Sequence, residues 1–415
     1  MTDVHIEKLI SAELAADILS ITKTNLKEWV ASGKLNAFVD EKKKSPAFDI
    51  DEVFSLNIDK HQSPHKWEDD LKIKPLRDYK LVELFAGAGG LALGLEKSGL
   101  KSVYLNEKDK DACATLKLNR PEWNVACGDI ANEDFSQFKD TIDIVSGGFP
   151  CQAFSYAGNK LGFEDTRGTL FFEFARAIKE ISPKVFIAEN VRGLLNHDNG
   201  KTLSSIKSVI DELGYELVEP RVLKAIFYKV PQKRERLILI AIRKDLSSKV
   251  KYSWPAVNHK IYTLRDALKG GELFETDAPE SLGQNYPELK KKVMDLVPEG
   301  GYWKDLPDEI QRSYMKKSYF LGGGKTGMAR RLAWDQPSLT LTCAPAQNQT
   351  ERCHPDETRP LKIREYARIQ TFPDDWKFSG SMSSVYKQIG NAVPVNLSLA
   401  IGRSLVRLLN DIESL

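Results

Sequence analysis

Short apolar segments alternate with helical stretches along the chain from about residue 80. The segments KLVELFAG, SVYLNE, IDIVSGG, KVFIAEN and RLILIAI have the length and apolar content of buried strands, and helical stretches separate the earlier ones. This alternation is typical of a mostly parallel sheet covered by helices, which binds ligands outside the carboxyl ends of its strands. The pattern therefore predicts an α/β fold.

The alternation is lost between about residues 250 and 345, where Trp, Tyr, Pro, Gly and Lys mix without a clear period. We interpret this stretch as a small domain inserted into the α/β unit. The α/β pattern resumes near Thr350 and closes with the helical segment NLSLAIGRSLVRLLNDI. The predicted boundaries are 76–250 and 346–415 for the two parts of the α/β domain, and 251–345 for the insertion.

A separate small unit is predicted over residues 1–75. The segments SAELAADILS and KTNLKEWVASGK have helical periodicity, and a Lys-rich turn, EKKKSPAFD, leads into a short helix at DEVFSL. This unit resembles the winged helix-turn-helix of excisionase-like regulators, and a plain helical docking module is an equal alternative. The polar segment IDKHQSPHKWEDDLKIKP is the predicted linker.

Composition indicates a globular protein of the cytoplasm. The 415 residues are 41% hydrophobic and 28% charged, and no apolar run approaches the roughly 18 residues of a membrane span. The N-terminal sequence MTDVHIEKLI does not have the pattern of a signal peptide. The five cysteines are odd in number and lack CxxC spacing, so neither a disulfide framework nor a zinc site is indicated.

Charge is unevenly distributed, although the formal net charge is only +2. About twelve Lys and Arg residues stand against two acids between Arg221 and Arg265, and about six stand against none between Arg312 and Arg331. Each run is compatible with a solvated basic face. Two such runs together favour a polyanionic partner.

The segment LVELFAGAGGLALGLEKSG reads as a strand, a tight glycine turn and a helix. The glycines Gly87, Gly89 and Gly90 allow a ligand to approach the backbone closely at the strand end. Glu107 ends the next strand about twenty residues later, where an acid can accept hydrogen bonds from ribose hydroxyls, and Asp129 follows the third. A nucleoside pocket is predicted, although a structural turn or a nicotinamide site remains open at this point.

Chemically reactive side chains follow the next strands. Cys151 comes after the third of the five apolar segments, in VSGGFPCQAFSYAG; Glu189 and Asn190 end the fourth, and PQKRERL places Arg234 and Arg236 just before the fifth. A cysteine after a strand is commonly a small buried hydrophobe. Here an acid and two arginines are expected near the cysteine at neighbouring strand ends, and this combination favours a nucleophile instead.

The motifs FAGAGG, GFPCQ, ENV and QKRER, in this order, resemble those of the DNA (cytosine-5)-methyltransferase family. RPLKIREYARIQTFPDDWKF and YKQIGNAVPVNLSLAIG resemble two later motifs, so the resemblance covers roughly residues 80–410. It implies a Rossmann-like S-adenosylmethionine-dependent methyltransferase sheet with an inserted target recognition domain. The implied cofactor residues are Phe85, Ala86, Gly87, Gly89, Gly90, Leu91, Asn106, Glu107, Asp129, Ile130, Pro150, Asn391 and Val393.

The resemblance also implies a mechanism. Cys151 would attack carbon 6 of a cytosine flipped out of the duplex, Glu189 would hold ring nitrogen 3, and Arg236 would donate to the oxygen at carbon 2, with Arg234 beside them. The remaining implied contacts are with duplex DNA. They are Gln152, Ser155, Arg312, Lys316, Lys317, Lys325, Arg330 and Arg331.

A bacterial restriction-modification setting follows from the resemblance, with an independently acting cognate endonuclease as the expected partner and a monomer as the working form. One rival interpretation is an enzyme of the same fold acting on transfer RNA, against which the PCQ tripeptide and the basic insertion count. A non-catalytic repressor on a dead methyltransferase scaffold and a nicotinamide oxidoreductase are the others. The expected residue fills every catalytic position of the family motifs, which counts against the repressor. A nicotinamide oxidoreductase would not require PCQ, ENV and QKRER at successive strand ends.

Overall fold

A computed structural model describes residues 9–40, 45–56, 63–149, 169–321 and 325–415. Its centre is a mixed sheet in the order β10-β12-β8-β7-β4-β5-β6, with β9 pairing to β12. Neighbours among β4 to β8 are parallel, whereas β12 is antiparallel to β8, β9 and β10. The strands are β4 (Tyr79–Leu84), β5 (Leu100–Glu107), β6 (Val125–Cys127), β7 (Ile144–Gly147), β8 (Val185–Val191), β9 (Tyr215–Leu217), β10 (Arg221–Lys224) and β12 (Glu235–Arg243).

All five strands expected from the apolar segments are present, and the α/β class is confirmed. The strand order reverses at β4, since β5 and β6 extend the sheet on one side and β7 and β8 on the other. Such a reversal opens a crevice at the carboxyl ends of the central strands. The helices packed on the sheet are α5 (Gly90–Lys97), α6 (Lys110–Asn119), α7 (Leu170–Ile181), α8 (Lys201–Glu212), α9 (Lys244–Ser247) and α15 (Val395–Glu413).

The last helix, α15, is the main cover of one face of the sheet. It packs along α5, and its apolar residues join those of β4, β8 and β12 in one core cluster. A second cluster on the opposite face is built mainly from α7, α8 and β12. The stretch Met382–Glu413 is apolar and long enough to cross a membrane by composition, but 72% of its most apolar window is buried inside the structure. Burial marks it as a core element.

The N-terminal unit contains strands as well as the three helices predicted. Its antiparallel sheet has the order β1-β3-β2, and Ser11, Thr22 and Asp49 cap the three helices with their side chains. Its elements are β1 (Leu9–Ser11), α1 (Ala12–Leu19), α2 (Lys23–Ala31), β2 (Phe38–Asp40), β3 (Ser45–Asp49) and α3 (Ile50–Ser55).

The predicted linker is partly folded. It contains α4 (Trp67–Asp70), and Asp70, only 2% exposed, accepts a hydrogen bond from the backbone N–H of Ala256 and pairs with Arg407 of α15. The chain is thereby fastened to the last helix before the central sheet begins.

The stretch from about residue 250 to 345, in which strands and helices stop alternating, divides into two parts. α10 (Leu264–Leu268) packs against α13 (Ile363–Ile369), and β13 (Ser338–Leu339) pairs in parallel with β11 (Gln232–Lys233). Residues between about 286 and 353 instead form a small core of their own around Tyr286, Trp303 and Cys353. The other helices of this half are α11 (Glu288–Met294), α12 (Asp308–Met315) and α14 (Met382–Asn391).

Candidate active site

The glycine turn after β4 has the conformation that its sequence predicts. Phe85, Gly87 and Gly89 have φ of 57°, 55° and 84°, in the left-handed region that glycine adopts most readily. A Cβ built on Gly87 would meet nothing within 4 Å, so open space lies in front of the turn. Ala86 and Leu91 are buried on either side of it.

Glu107 is fixed against this turn. Its Oε2 accepts a hydrogen bond of 2.7 Å from the backbone N–H of Gly87, and its Oε1 accepts bonds of 2.8 Å from the N–H groups of Lys108 and Asp109. Asn106, buried at the same strand end, donates to the carbonyl of Gly128. The ends of β4, β5 and β6 are therefore joined around the acid.

Asp129 begins the next rim segment, and Ile130 beside it is buried. Its carboxylate caps a short 3₁₀ helix through Ala131 and lies 2.7 Å from Nζ of Lys108. The hydrogen bond from Lys108 lowers the pKa of Asp129 below its ordinary value. Asp129 thus has a cationic partner at this edge of the crevice.

Residues from the far end of the chain close the turn. A Cβ on Gly90 would lie 2.4 Å from the carbonyl oxygen of Val393, which shows how closely the 392–393 segment approaches. Asn391 is exposed next to it and accepts a hydrogen bond of 3.1 Å from Sγ of Cys343. The sequence-predicted cofactor residues that the structure describes therefore meet at one crevice.

Glu189 and Arg236 form an ion pair at the adjoining strand ends. Glu189 lies on β8 and Arg236 on β12, and the pair joins Oε1 of the acid to Nε of the arginine. Their side chains are 13% and 10% exposed. Breaking a pair this buried would cost more than breaking an exposed pair, because it would leave an uncompensated charge. The second carboxylate oxygen, Oε2, is available to another partner.

That second oxygen faces the segment before Cys151. A Cβ on Gly148 would lie 2.8 Å from Oε2 of Glu189, so a side chain there would collide with the acid. Nδ2 of Asn190 donates to the carbonyl oxygen of Phe149 at 2.8 Å. The GGF segment is thus fastened to the ENV segment. Pro150, Cys151, Gln152 and Ser155, with the glycines 322–324, lie outside the described residues.

Arg234 does not share the position of Arg236. It is 2% exposed and donates to the carbonyl oxygens of Leu341 and Gly390, at 3.1 and 2.9 Å. Burial, followed by the neighbouring charge of Arg236, lowers its pKa well below the ordinary value. Its terminal nitrogens bond to the backbone of two other segments, so in this structure Arg234 holds backbone in place, and its expected catalytic role stays a prediction.

The predicted DNA-contacting cations fall into three groups by their surroundings. Lys316 and Lys317 are exposed, as is Arg312, which pairs with Asp308 and lies over the ring of Tyr319. Lys325 and Arg330 are half-buried. Lys325 donates to the backbone carbonyls of Ser318 and Leu321, and Arg330 lies over the ring of Tyr302.

Arg331 is the third case and corrects its assignment. It is 4% exposed, and its guanidinium donates to the carbonyl oxygens of Val297, Met294, His354 and Pro355 and to the hydroxyl of Thr358. Because its donors are directed at the small core, it stabilises the inserted region and does not face a phosphate.

Sequence reasoning missed Glu83, two residues before the FAGAGG motif. Its buried carboxyl accepts from the backbone N–H of Ala92 in α5 at 3.1 Å and lies 2.9 Å from Oγ of Ser146 in β7. Burial raises its pKa to about 8. The signal was available, since an acid inside an apolar strand requires a partner.

Comparison with known proteins agrees with this geometry. The family model for the C-5 cytosine-specific DNA methylase matches residues 79–407. Type II methyltransferase M.Eco47II of Escherichia coli is 62% identical over 96% of this chain and 95% of its own. M.PspPI of a Psychrobacter strain is 60% identical over 96% of each chain. Both alignments include most of the N-terminal unit.

A solved structure shares the fold. The methyltransferase EhMeth of Entamoeba histolytica superimposes with a TM-score of 0.54 over 80% of this chain and 99% of its own, at 14% identity. The family model and the curated relatives extend this likeness to activity. The chain belongs to the C-5 cytosine-specific DNA methylase family and is a DNA (cytosine-5)-methyltransferase of the kind found in restriction-modification systems.

Proposed function

We propose that this enzyme methylates carbon 5 of a flipped cytosine in a short duplex DNA site through a covalent bond between Cys151 and carbon 6. The observation that carries the proposal is the buried pair of Glu189 and Arg236, in which the second carboxylate oxygen of Glu189 faces Gly148, three residues before Cys151 in the sequence. An acid and a cation fixed at one strand edge can hold opposite edges of a pyrimidine ring.

The residues act in sequence. The thiolate of Cys151 forms a bond to carbon 6, which makes carbon 5 electron-rich. Glu189 holds or protonates ring nitrogen 3 during this addition, and Arg236 donates to the oxygen at carbon 2. After methyl transfer a base removes the carbon 5 proton, the carbon–sulfur bond breaks, and the ring regains aromaticity. Arg234 acts as a positioning residue, holding the backbone on which Arg236 stands.

The crevice around the glycine turn fits S-adenosylmethionine, which would supply the methyl group. The open space before Gly87, the fixed carboxylate of Glu107 and the exposed edge of Asp129 are the features that a nucleoside requires. Glu107 would accept from the ribose hydroxyls and Asp129 from the adenine amino group. The segment at Asn391 and Val393 would close the pocket.

The small core between about 286 and 353 is the proposed target recognition domain, somewhat shorter than the expected 251–345. Exposed Arg312, Lys316 and Lys317 on one of its surfaces are suited to phosphate contacts, while Gln152 and Ser155 would enter the duplex beside the flipped base. Partners remain proposals: an independently acting endonuclease, and a winged helix-turn-helix role for the N-terminal unit. One active site for each flipped base is compatible with a monomer.

The covalent step is tested by trapping. The enzyme is incubated with S-adenosylmethionine and duplex DNA containing 5-fluorocytosine in varied contexts, and any adduct is mapped after denaturing electrophoresis. Carbon 5 cannot lose its fluorine as the base step requires, so the adduct should persist. We expect it at Cys151, lost in Cys151→Ala and retained in the control Cys127→Ala. An adduct formed only with RNA, or retained in Cys151→Ala, would contradict the proposal.

A further inference from the structure

The QKRER segment presents two different faces. Gln232, Arg234 and Arg236 are buried, whereas Lys233 and Glu235, which stand between them in the sequence, are half-buried and pair with other charged groups. The contacts agree: Arg234 bonds to the interior carbonyls, and Arg236 pairs with Glu189. Of the other two side chains, Lys233 contacts the N-terminal unit, whereas Glu235 pairs with Arg192.

Two acids of helix α1 in the N-terminal unit form ion pairs with Lys233. Oε1 of Glu13 lies 3.0 Å and Oδ2 of Asp17 2.8 Å from its ammonium, whose side chain is 13% exposed. The neighbouring Lys224 donates to the backbone carbonyl of Asp17 and stands opposite Glu235 in the β10–β12 register. One helix of the N-terminal unit thus engages both strands on which the active-site arginines depend.

The electrostatics of Glu13 support a functional pairing. Burial raises its pKa, but the nearby charges of Lys233, Arg330 and Lys23 together hold the pKa below its ordinary value. A mostly buried ammonium that loses both acids would be an uncompensated charge, which costs several times more than an exposed pair. The strand would shift to rehydrate it.

We propose that Glu13 and Asp17 are positioning residues for methyl transfer, acting through Lys233 to hold the strand that carries Arg234 and Arg236. The inference rests on the proposed roles of Glu189 and Arg236. It makes the N-terminal unit part of the structural support of the active site, in addition to any binding role of its own. Lys233 itself is fixed from the other side, since Thr340 donates to its carbonyl oxygen at 2.5 Å.

A double-mutant cycle tests the coupling. Glu13→Gln with Asp17→Asn forms one arm, Lys233→Met the other, and the triple variant closes the cycle. We expect each arm to lower kcat by about tenfold, because small misplacements of catalytic groups are costly. The triple variant should lose no more than either arm, since all three remove the same interaction. Lys233→Arg should restore most of the rate.

Binding measurements separate positioning from folding. The Kd for S-adenosylmethionine should stay within about twofold of the wild type, so that the loss falls in kcat. Glu28→Gln, an exposed acid on α2, is the matched control and should be unchanged. Losses that add in the triple variant, or a lowered Tm with unchanged kcat, would overturn the inference. If the double acid variant does not fold, the kcat values of Lys233→Met and Lys233→Arg alone test the positioning role.

The two proposals can fail separately. Wild-type enzyme that forms no 5-fluorocytosine adduct at Cys151 would remove the mechanism on which the inference rests. Wild-type enzyme that forms the adduct, with the acid variants trapping it at the same rate, would remove only the positioning role of α1.

Discussion

Glu83 is a buried carboxyl that bonds to helix α5 after the glycine turn and lies against Ser146 of β7. Its pKa of about 8, raised by burial, means that the folded protein binds a proton there which the unfolded chain releases above its ordinary value of 4.5. The stabilising contribution is therefore complete at low pH and is lost as the pH rises through about 8. The free energy of unfolding should therefore fall as the pH rises from about 4.5 to about 8.

Glu83→Gln should flatten that pH dependence. The amide keeps the size and hydrogen-bonding atoms of the protonated acid, so the variant should be about as stable at pH 5 and more stable than wild type at pH 9, on the order of a few kcal/mol. Denaturant unfolding at several pH values measures this. Parallel profiles for the two proteins would show that Glu83 does not titrate as described.

Glu189→Gln tests the acid of the active-site pair. An amide fills the same space but cannot supply a proton to ring nitrogen 3 in the same way, so kcat should fall by about 100-fold or more. The Kd for S-adenosylmethionine should be little changed. Glu216→Gln, at an exposed position of β9, is the control. A near-normal kcat in Glu189→Gln would remove this residue from the mechanism.

At this scale the sequence predicts residue types better than it predicts their partners. Arg236 and Arg331 look alike in the sequence, yet one is directed at a carboxylate and the other at backbone carbonyls of the small core. Those carbonyls belong to segments that are distant along the chain. Nothing in local spacing indicates which arginine they would bind, so long-range contacts decide the difference.

Secondary structure was predictable where apolar runs were long enough to show a period. The five principal strands and the three N-terminal helices follow their sequence patterns closely. The two-residue strands β11 and β13 have no period to detect, and they pair across about 100 residues of intervening chain. The predicted boundary of the inserted region is accordingly the least specific part of the sequence prediction.

The packing of α5 on α15 depends on glycine. A Cβ on Gly94 would lie 2.3 Å from Cβ of Ser398 and 2.5 Å from the carbonyl oxygen of Val395. Gly94→Ala should therefore force the helices apart and lower the free energy of unfolding by about 1–3 kcal/mol. The Kd for S-adenosylmethionine should rise with it, because α5 begins at the cofactor turn.

Gly193→Ala is the matched control for that variant. A Cβ there would make only an ordinary contact, 3.9 Å from Val191, so stability should be nearly unchanged. Chemical denaturation and isothermal titration of the cofactor compare the two. Equal stability of both variants would mean that the α5–α15 contact tolerates a methyl group.

For the whole molecule, the N-terminal unit shares its core with the catalytic domain. Leu14, Ile18 and Phe54 belong to the same apolar cluster as the sheet, and Phe54 stacks on His259 with ring centroids 4.6 Å apart. A domain joined to its neighbour only by a flexible linker would have a separate core, whereas this unit shares one.

Truncation should show the difference between the unit and its linker. Deleting residues 1–62 should lower Tm by exposing the apolar face beneath α1 and α3. Deleting 1–75 should cost about 3 kcal/mol more, because it also removes Asp70 and leaves Arg407 without its buried partner. Arg407→Met in the shorter protein should recover part of that loss. Equal Tm values for the two truncations would contradict this account.

The contact between α5 and α15 joins parts of the chain that are about 300 residues apart. During synthesis on the ribosome, the glycine turn is made about 300 residues before Asn391, Val393 and the helix that supports the turn. A nascent or prematurely terminated chain therefore lacks one wall of its pocket. Methylating capacity should therefore appear only after this later segment has been made, and chains that lack the segment should not modify DNA.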